Sequence, residues 1–168
     1  DRDFGQFSLM SGAIQDINDP TGNTIYIAMW GSGLFKWRRK ENTFEHYFAA
    51  NSGLKNNGIL CSVQDKKGVL WLGTAGVNSF NPKTGAWTSY DLHADQLDED
   101  CNVLSILETP DGNMWFGANR GGLFKYDPST DHIGQIVLPE EAYRENKRIS
   151  IFGMDVDRQG RIWLATNQ

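Results

Sequence analysis

The chain has 168 residues, 39% of them hydrophobic and 22% charged, with a formal net charge of -5. It is long enough to bury one ordinary core, no apolar run approaches the roughly 20 residues of a membrane helix, and no basic start followed by an apolar stretch marks a signal peptide. The basic residues fall in small groups, such as residues 36–40, without the continuous stripe that a phosphate backbone attracts, so neither nucleic acid nor membrane contact is expected of this segment.

In chain order, the opening Asp1-Arg2-Asp3 reads as the start of an excised piece or a mature chain. Residues 4–9, Phe-Gly-Gln-Phe-Ser-Leu, resemble residues 133–138, Ile-Gly-Gln-Ile-Val-Leu, and are expected to form the outermost strand of a sheet. A turn at Asp19-Pro20-Thr21-Gly22 leads into the apolar segment Ile25-Tyr26-Ile27-Ala28. The same sequence of events recurs three times. Asp65-Lys66-Lys67-Gly68 precedes Leu70-Trp71-Leu72-Gly73, Pro110-Asp111-Gly112 precedes Met114-Trp115-Phe116-Gly117, and Asp157-Arg158-Gln159-Gly160 precedes Ile162-Trp163-Leu164-Ala165. Asp can bond the backbone two residues on and Gly accepts positive φ, so each is a hairpin turn with a mechanism.

The anchors at positions 26, 71, 115 and 163 recur at intervals of 45, 44 and 48 residues. The first three are followed by a glycine-led strand at residues 33–37, 76–80 and 122–126, and then by a further strand at 43–48, 86–91 and 133–138. Four strands per repeat at this period are the signature of propeller blades. A four-stranded sheet has two apolar faces and buries them by stacking on its neighbours, so Trp71, Trp115 and Trp163 are expected to be mostly buried between blades. The fold class is therefore all-β, a β-propeller with about three complete four-stranded blades plus parts of a fourth, read as a fragment of a larger propeller. The expected divisions are 1–10 as an outer strand of a preceding blade, blades at 11–50, 51–92 and 93–138, and a partial blade at 139–168. Helical periodicity is nearly absent, the polar stretch 140–147 being the one weak candidate.

The segments Asp65-x-x-Gly-x-Leu-Trp-Leu-Gly-Thr74, Asp111-Gly-Asn-Met-Trp-Phe-Gly117, Gly121-Gly-Leu-Phe-Lys-Tyr-Asp-Pro128 and Asn81-Pro-Lys-Thr-Gly85 are similar to the two-component regulator propeller repeat. The resemblance runs from about residue 3 to residue 167, with Tyr26 standing where the repeat has Trp and a shortened loop at Thr74-Ala75-Gly76. It implies a sensory role in the periplasmic or extracytoplasmic portion of bacterial hybrid two-component sensors, where two large propellers and an immunoglobulin-like domain precede the membrane span. It also implies more blades than this chain supplies, a histidine kinase elsewhere in the parent chain, and ligands that are often glycan fragments. Residues 81–87 also resemble the tryptophan-docking repeat of quinoprotein dehydrogenases, but only one copy carries that Trp and no cofactor site accompanies it.

No catalytic, metal or cofactor residues are assigned. His46, His93 and His132 are scattered without metal-ligand spacing. Gly31-Ser32-Gly33 precedes a strand rather than opening a helix, as a phosphate-cradling loop would. Cys61 and Cys101 form no close metal-type pair and read as small buried apolar residues. The acidic run Asp95, Asp98, Glu99 and Asp100 reads as a solvated loop. Three functions follow: a ligand-sensing propeller, a protein-interaction scaffold, or a carbohydrate-active enzyme whose acids come from distant loops.

Recognition tends to sit on loops held by a rigid scaffold. The loops joining second to third strands share one end of the blades with the blade-to-blade loops at 49–58, 92–102 and 139–147. On that end Trp30 is the candidate for stacking on a sugar or aromatic group, and Asn119 and Arg120 for bonding hydroxyls or a carboxylate. The expected partners are an oligosaccharide or other small ligand, together with the remaining blades of the parent chain or a second copy.

Overall fold

The computed structural model describes residues 9–93, 101–139 and 148–167. Three four-stranded antiparallel sheets and one two-stranded sheet follow each other along the chain. Blade 1 is β1 (Leu9–Gln15), β2 (Thr24–Trp30), β3 (Gly33–Arg38) and β4 (Thr43–Tyr47), in that spatial order. Blade 2 is β5 (Cys61–Gln64), β6 (Leu70–Thr74), β7 (Gly76–Asn81) and β8 (Ala86–Tyr90). Blade 3 is β9 (Val103–Glu108), β10 (Met114–Ala118), β11 (Gly122–Asp127) and β12 (His132–Ile136), and blade 4 contributes β13 (Ile151–Val156) and β14 (Ile162–Thr166). The described residues form no helix. The expected helical stretch 140–147 and the acidic residues Asp95, Asp98, Glu99 and Asp100 lie outside the described residues.

Local chemistry explains the hairpins. Gly22, Gly68, Gly112 and Gly160, the last residues of the four Asp-bearing turns, all have positive φ, between +65° and +88°, a region open to glycine at little steric cost. The Asp65 Oδ1 accepts from the amides of Lys67 and Val69, and the Asp157 Oδ1 accepts from those of Gln159 and Arg161. In blades 1, 3 and 4 the innermost pairing also skips one residue, Ser11, Leu104 or Phe152. This is a recurrent bulge that bends the inner strand.

The innermost strands pack in chain order, β1 on β5, β5 on β9 and β9 on β13. One core lies between blades 1 and 2, built on Tyr26, Leu34, Ile59, Leu70, Leu72 and Phe80. A second lies between blades 2 and 3, built on Trp71, Val77, Val103, Phe116 and Phe124. The anchor of each blade faces the blade that follows. Tyr26 meets Phe80 edge-on at 6.2 Å, and Trp71 meets Phe116 at 5.6 Å and Tyr126 at 4.9 Å.

That direction corrects one expectation. Trp71, with four strands of blade 3 before it, is 4% exposed, and Trp115, followed by only the two strands of blade 4, is less completely buried but still mostly so. Trp163 has no described sheet before it and is 61% exposed. Anchor burial follows the number of strands supplied by the next blade, which a single repeat does not encode. The expected outer strand at residues 4–9 falls outside the described residues except for Leu9, which opens β1, the innermost strand of blade 1.

Candidate functional site

At one end of the blades the turns between second and third strands are tied to the loops running between blades. The amides of Gly31 and Gly33 donate to the Asn57 carbonyl, that of Gly76 to Cys101, that of Asn119 to Asn102 and that of Gly122 to Ile149. These bonds place both loop sets on one end, and they make the turns rigid.

The three predicted ligand residues stand on this end, two blades apart. Trp30 closes β2, is 51% exposed, and bridges to Gly58 of the next interblade loop. Its indole edge lies beside that glycine, where a Cβ would come within 3.6 Å of Cδ1 and Nε1. Asn119 and Arg120 fill the turn between β10 and β11, and both are exposed. Arg120 sits at φ +59°, and its amide donates to the Ser150 Oγ at 2.9 Å. That hydroxyl donates in turn to the Asn119 Oδ1 at 2.9 Å. Part of Asn119 is therefore committed to joining blade 3 to the strand entrance of blade 4. Trp30 and the Asn119-Arg120 pair belong to separate loop clusters, each buttressed by its own interblade segment.

The opposite end carries a feature that repeat-by-repeat reading missed. A cavity of about 300 Å³ opens between blades 2 and 3. Its walls include Trp71, Tyr90 and Tyr126, and its polar rim includes Asp131, Glu108 and Lys67. Trp71 stacks on Tyr90 at 5.9 Å and meets Tyr126 edge-on at 4.9 Å, while its Nε1 donates to the buried Asp65 carboxylate at 2.9 Å. The hydroxyls of Tyr90 and Tyr126, one from each blade, both donate to the Asp131 Oδ1, at 2.8 and 2.9 Å. Burial, followed by the Asp131 carboxylate that each hydroxyl contacts, pushes both tyrosine pKa values up. Among the described residues no three His, Cys, Asp or Glu side chains are gathered as a metal site would need.

The model of the two-component regulator propeller family matches residues 53–76 and 97–120. Two stretches of the chain match this repeat, one in blade 2 and one in blade 3. Each match spans the end of an interblade loop, the first two strands of a blade and the turn that follows, with the Trp71 or Trp115 anchor inside it. No curated protein matches the chain.

Among solved structures, the extracellular domain of one hybrid two-component system of B. thetaiotaomicron is similar at 23% identity and a TM-score of 0.72, over 88% of this chain and 19% of that one. That of a second such system from the same organism matches at 20% identity and 0.70, over 94% of this chain and 19% of that one. The WD40 β-propeller domain of Doa1 matches at 16% identity and 0.65, over 92% of this chain and 47% of that one. The chain thus spans about a fifth of the length of the first two, and the shared architecture is the β-propeller.

Proposed function

We propose that this chain is a segment of an extracytoplasmic propeller that recognises a ligand for a two-component sensor. The observation that carries the reading is the match of this sensor family's repeat to two successive blades. The geometry is suited to it, because stiff sheets hold turns of differing chemistry, Trp30-Gly31-Ser32, Thr74-Ala75 and Asn119-Arg120-Gly121, at one end. The residues proposed to touch ligand are Trp30, Asn119 and Arg120. The ligand class proposed is an oligosaccharide, which an exposed indole can stack on and amide or guanidinium groups can bond. The blade divisions at 11–50, 51–92 and 93–138, and further blades beside the exposed Trp163 face, belong to the same proposal.

The test uses the intact receptor. Trp30→Ala and Arg120→Ala are each compared with the unaltered protein for binding to an oligosaccharide panel and for signalling. The reading expects at least a tenfold loss of affinity for one panel member and a matching loss of response. Unchanged binding and response in folded variants would remove this end from the ligand site.

A further inference from the structure

The interface between blades 1 and 2 and that between blades 2 and 3 are built from equivalent positions with different residues. Register places Trp87 opposite Phe80 in blade 2, and Ile133 opposite Tyr126 in blade 3. At the first interface Trp87 stacks on Phe80 at 4.5 Å and lies 5.8 Å from Tyr47, so three rings fill the groove. At the second, the smaller Ile133 is drawn into the core and the groove stays open as the 300 Å³ cleft. The ring equivalent to Phe80 has also gained a hydroxyl there, in Tyr126.

The third difference is in the turn before the last strand. The positive-φ position there is Asn42 in blade 1, Gly85 in blade 2 and Asp131 in blade 3, at +49°, +76° and +51°. Asparagine, aspartate and glycine are all ordinary occupants of that conformation, so what changes is the side chain that the turn presents. Asp131 brings a carboxylate to the rim of the cleft, where two tyrosine hydroxyls hold Oδ1 and Oδ2 has no bonding partner among the described residues.

We propose that this cleft binds a small organic ammonium ligand, with its cationic group against Asp131 and the tyrosine rings. Charge supports that class. Asp65, Glu108 and Asp131 line the cleft against the single ammonium of Lys67, so the lining is net negative and disfavours anions. Tyrosine and tryptophan walls attract a desolvated cation through their ring quadrupoles. The volume, at the lower end of ligand sites, fits a group of a few heavy atoms and excludes an extended chain. The ligand class is independent of the oligosaccharide reading, and the cleft lies at the other end of the blades.

The test is calorimetric titration of the intact chain with choline, with its neutral carbon isostere dimethylbutanol, with glucose and with acetate. Saturable choline binding is expected, with the isostere at least tenfold weaker. Asp131→Asn keeps a residue that tolerates positive φ and should weaken choline about tenfold, as loss of a charge-assisted contact implies. Val137→Ala, at a residue 86% exposed and outside the cleft lining, should leave choline binding unchanged. Ala86→Arg, at an exposed lining position, should abolish it and serves if Asp131→Asn fails to fold. No saturable choline binding, equal binding of the isostere, preference for glucose or acetate, or indifference to both cleft variants would each overturn the proposal. Loss of choline binding in Val137→Ala would place the ligand elsewhere and overturn it too.

Discussion

Asp65 and Asp157 show how a turn and an anchor are joined by one side chain. In each, Oδ1 takes two turn amides while Oδ2 takes the indole N–H six residues on, at 2.9 Å from Trp71 and 3.0 Å from Trp163. Blade 3 has Thr109 at this position, whose hydroxyl donates instead to the Asp111 Oδ1, the nearer of two acceptors, with the Asn113 carbonyl at 3.1 Å. The Trp115 Nε1 is consequently buried without a partner among the described residues. A buried donor left unpaired costs about 1–3 kcal/mol. Thr109→Asp alone would set two carboxylates two residues apart. Combined with Asp111→Gln, it reproduces the Asp157-x-Gln159 arrangement of blade 4. The double variant is expected to stabilise the chain by about 1 kcal/mol, a rise of roughly 2–4 °C in Tm for a domain of this size, read by thermal denaturation. No change in Tm would mean that the indole already finds water.

Among the elements, the turns between second and third strands tolerate least. Gly76 sits at φ +89°, and a Cβ there would run into the Tyr90 carbonyl oxygen as β8 leaves the sheet. Gly76→Ala therefore combines backbone strain with a clash against main chain that has little room to move. The expected loss is at least about 2 kcal/mol, measured as a lower denaturant midpoint at unchanged m-value. Such positions were legible in the sequence because a tight turn needs its glycine whatever surrounds it, and the anchors were legible because their period is. The exposure of Trp163 was not, since it is set by the sheet placed before the residue and not by the residue itself. The cleft was not either. Trp71 reads as core in its own repeat, and only a comparison of outer strands position by position brings out Trp87 against Ile133, Phe80 against Tyr126 and Gly85 against Asp131. Trp30, Asn119 and Arg120 were placed on one end correctly by topology, but the separation between their loop clusters depends on blade spacing that no local pattern records.

At the scale of the whole molecule, stacking sheets face to face sets ionisable rings and a thiol between blades and most carboxylates in the turns, and this fixes the pH dependence of stability. Burial pushes the Cys61 thiol up to about 12 from its ordinary 9.0. Burial likewise raises Tyr26, Tyr47, Tyr90 and Tyr126 above their ordinary 10.0. For each of these groups the folded state holds its proton more tightly than the unfolded chain. Their stabilising contribution is complete below the unfolded pKa and is lost as pH rises toward the folded value. On the acid side the signs reverse. Hydrogen bonds from Thr21 and Thr24 hold Asp19 well below the usual carboxylate range, and hydrogen bonds from Tyr47 and Lys55 lower Glu45 and Asp91. Those contributions are complete above the ordinary carboxylate values and are lost as pH falls through the lowered ones. Stability is therefore expected to be level between about pH 5 and pH 8 and to decline on both sides. The alkaline limb separates the thiol from the tyrosines, because the unfolded thiol titrates first. Cys61→Ala should delay the onset of the decline from about pH 9 to about pH 10, seen in Tm recorded across that range, whatever uniform loss the substitution brings at neutral pH. An onset unmoved in Cys61→Ala would show that the thiol is not sealed between blades 2 and 3.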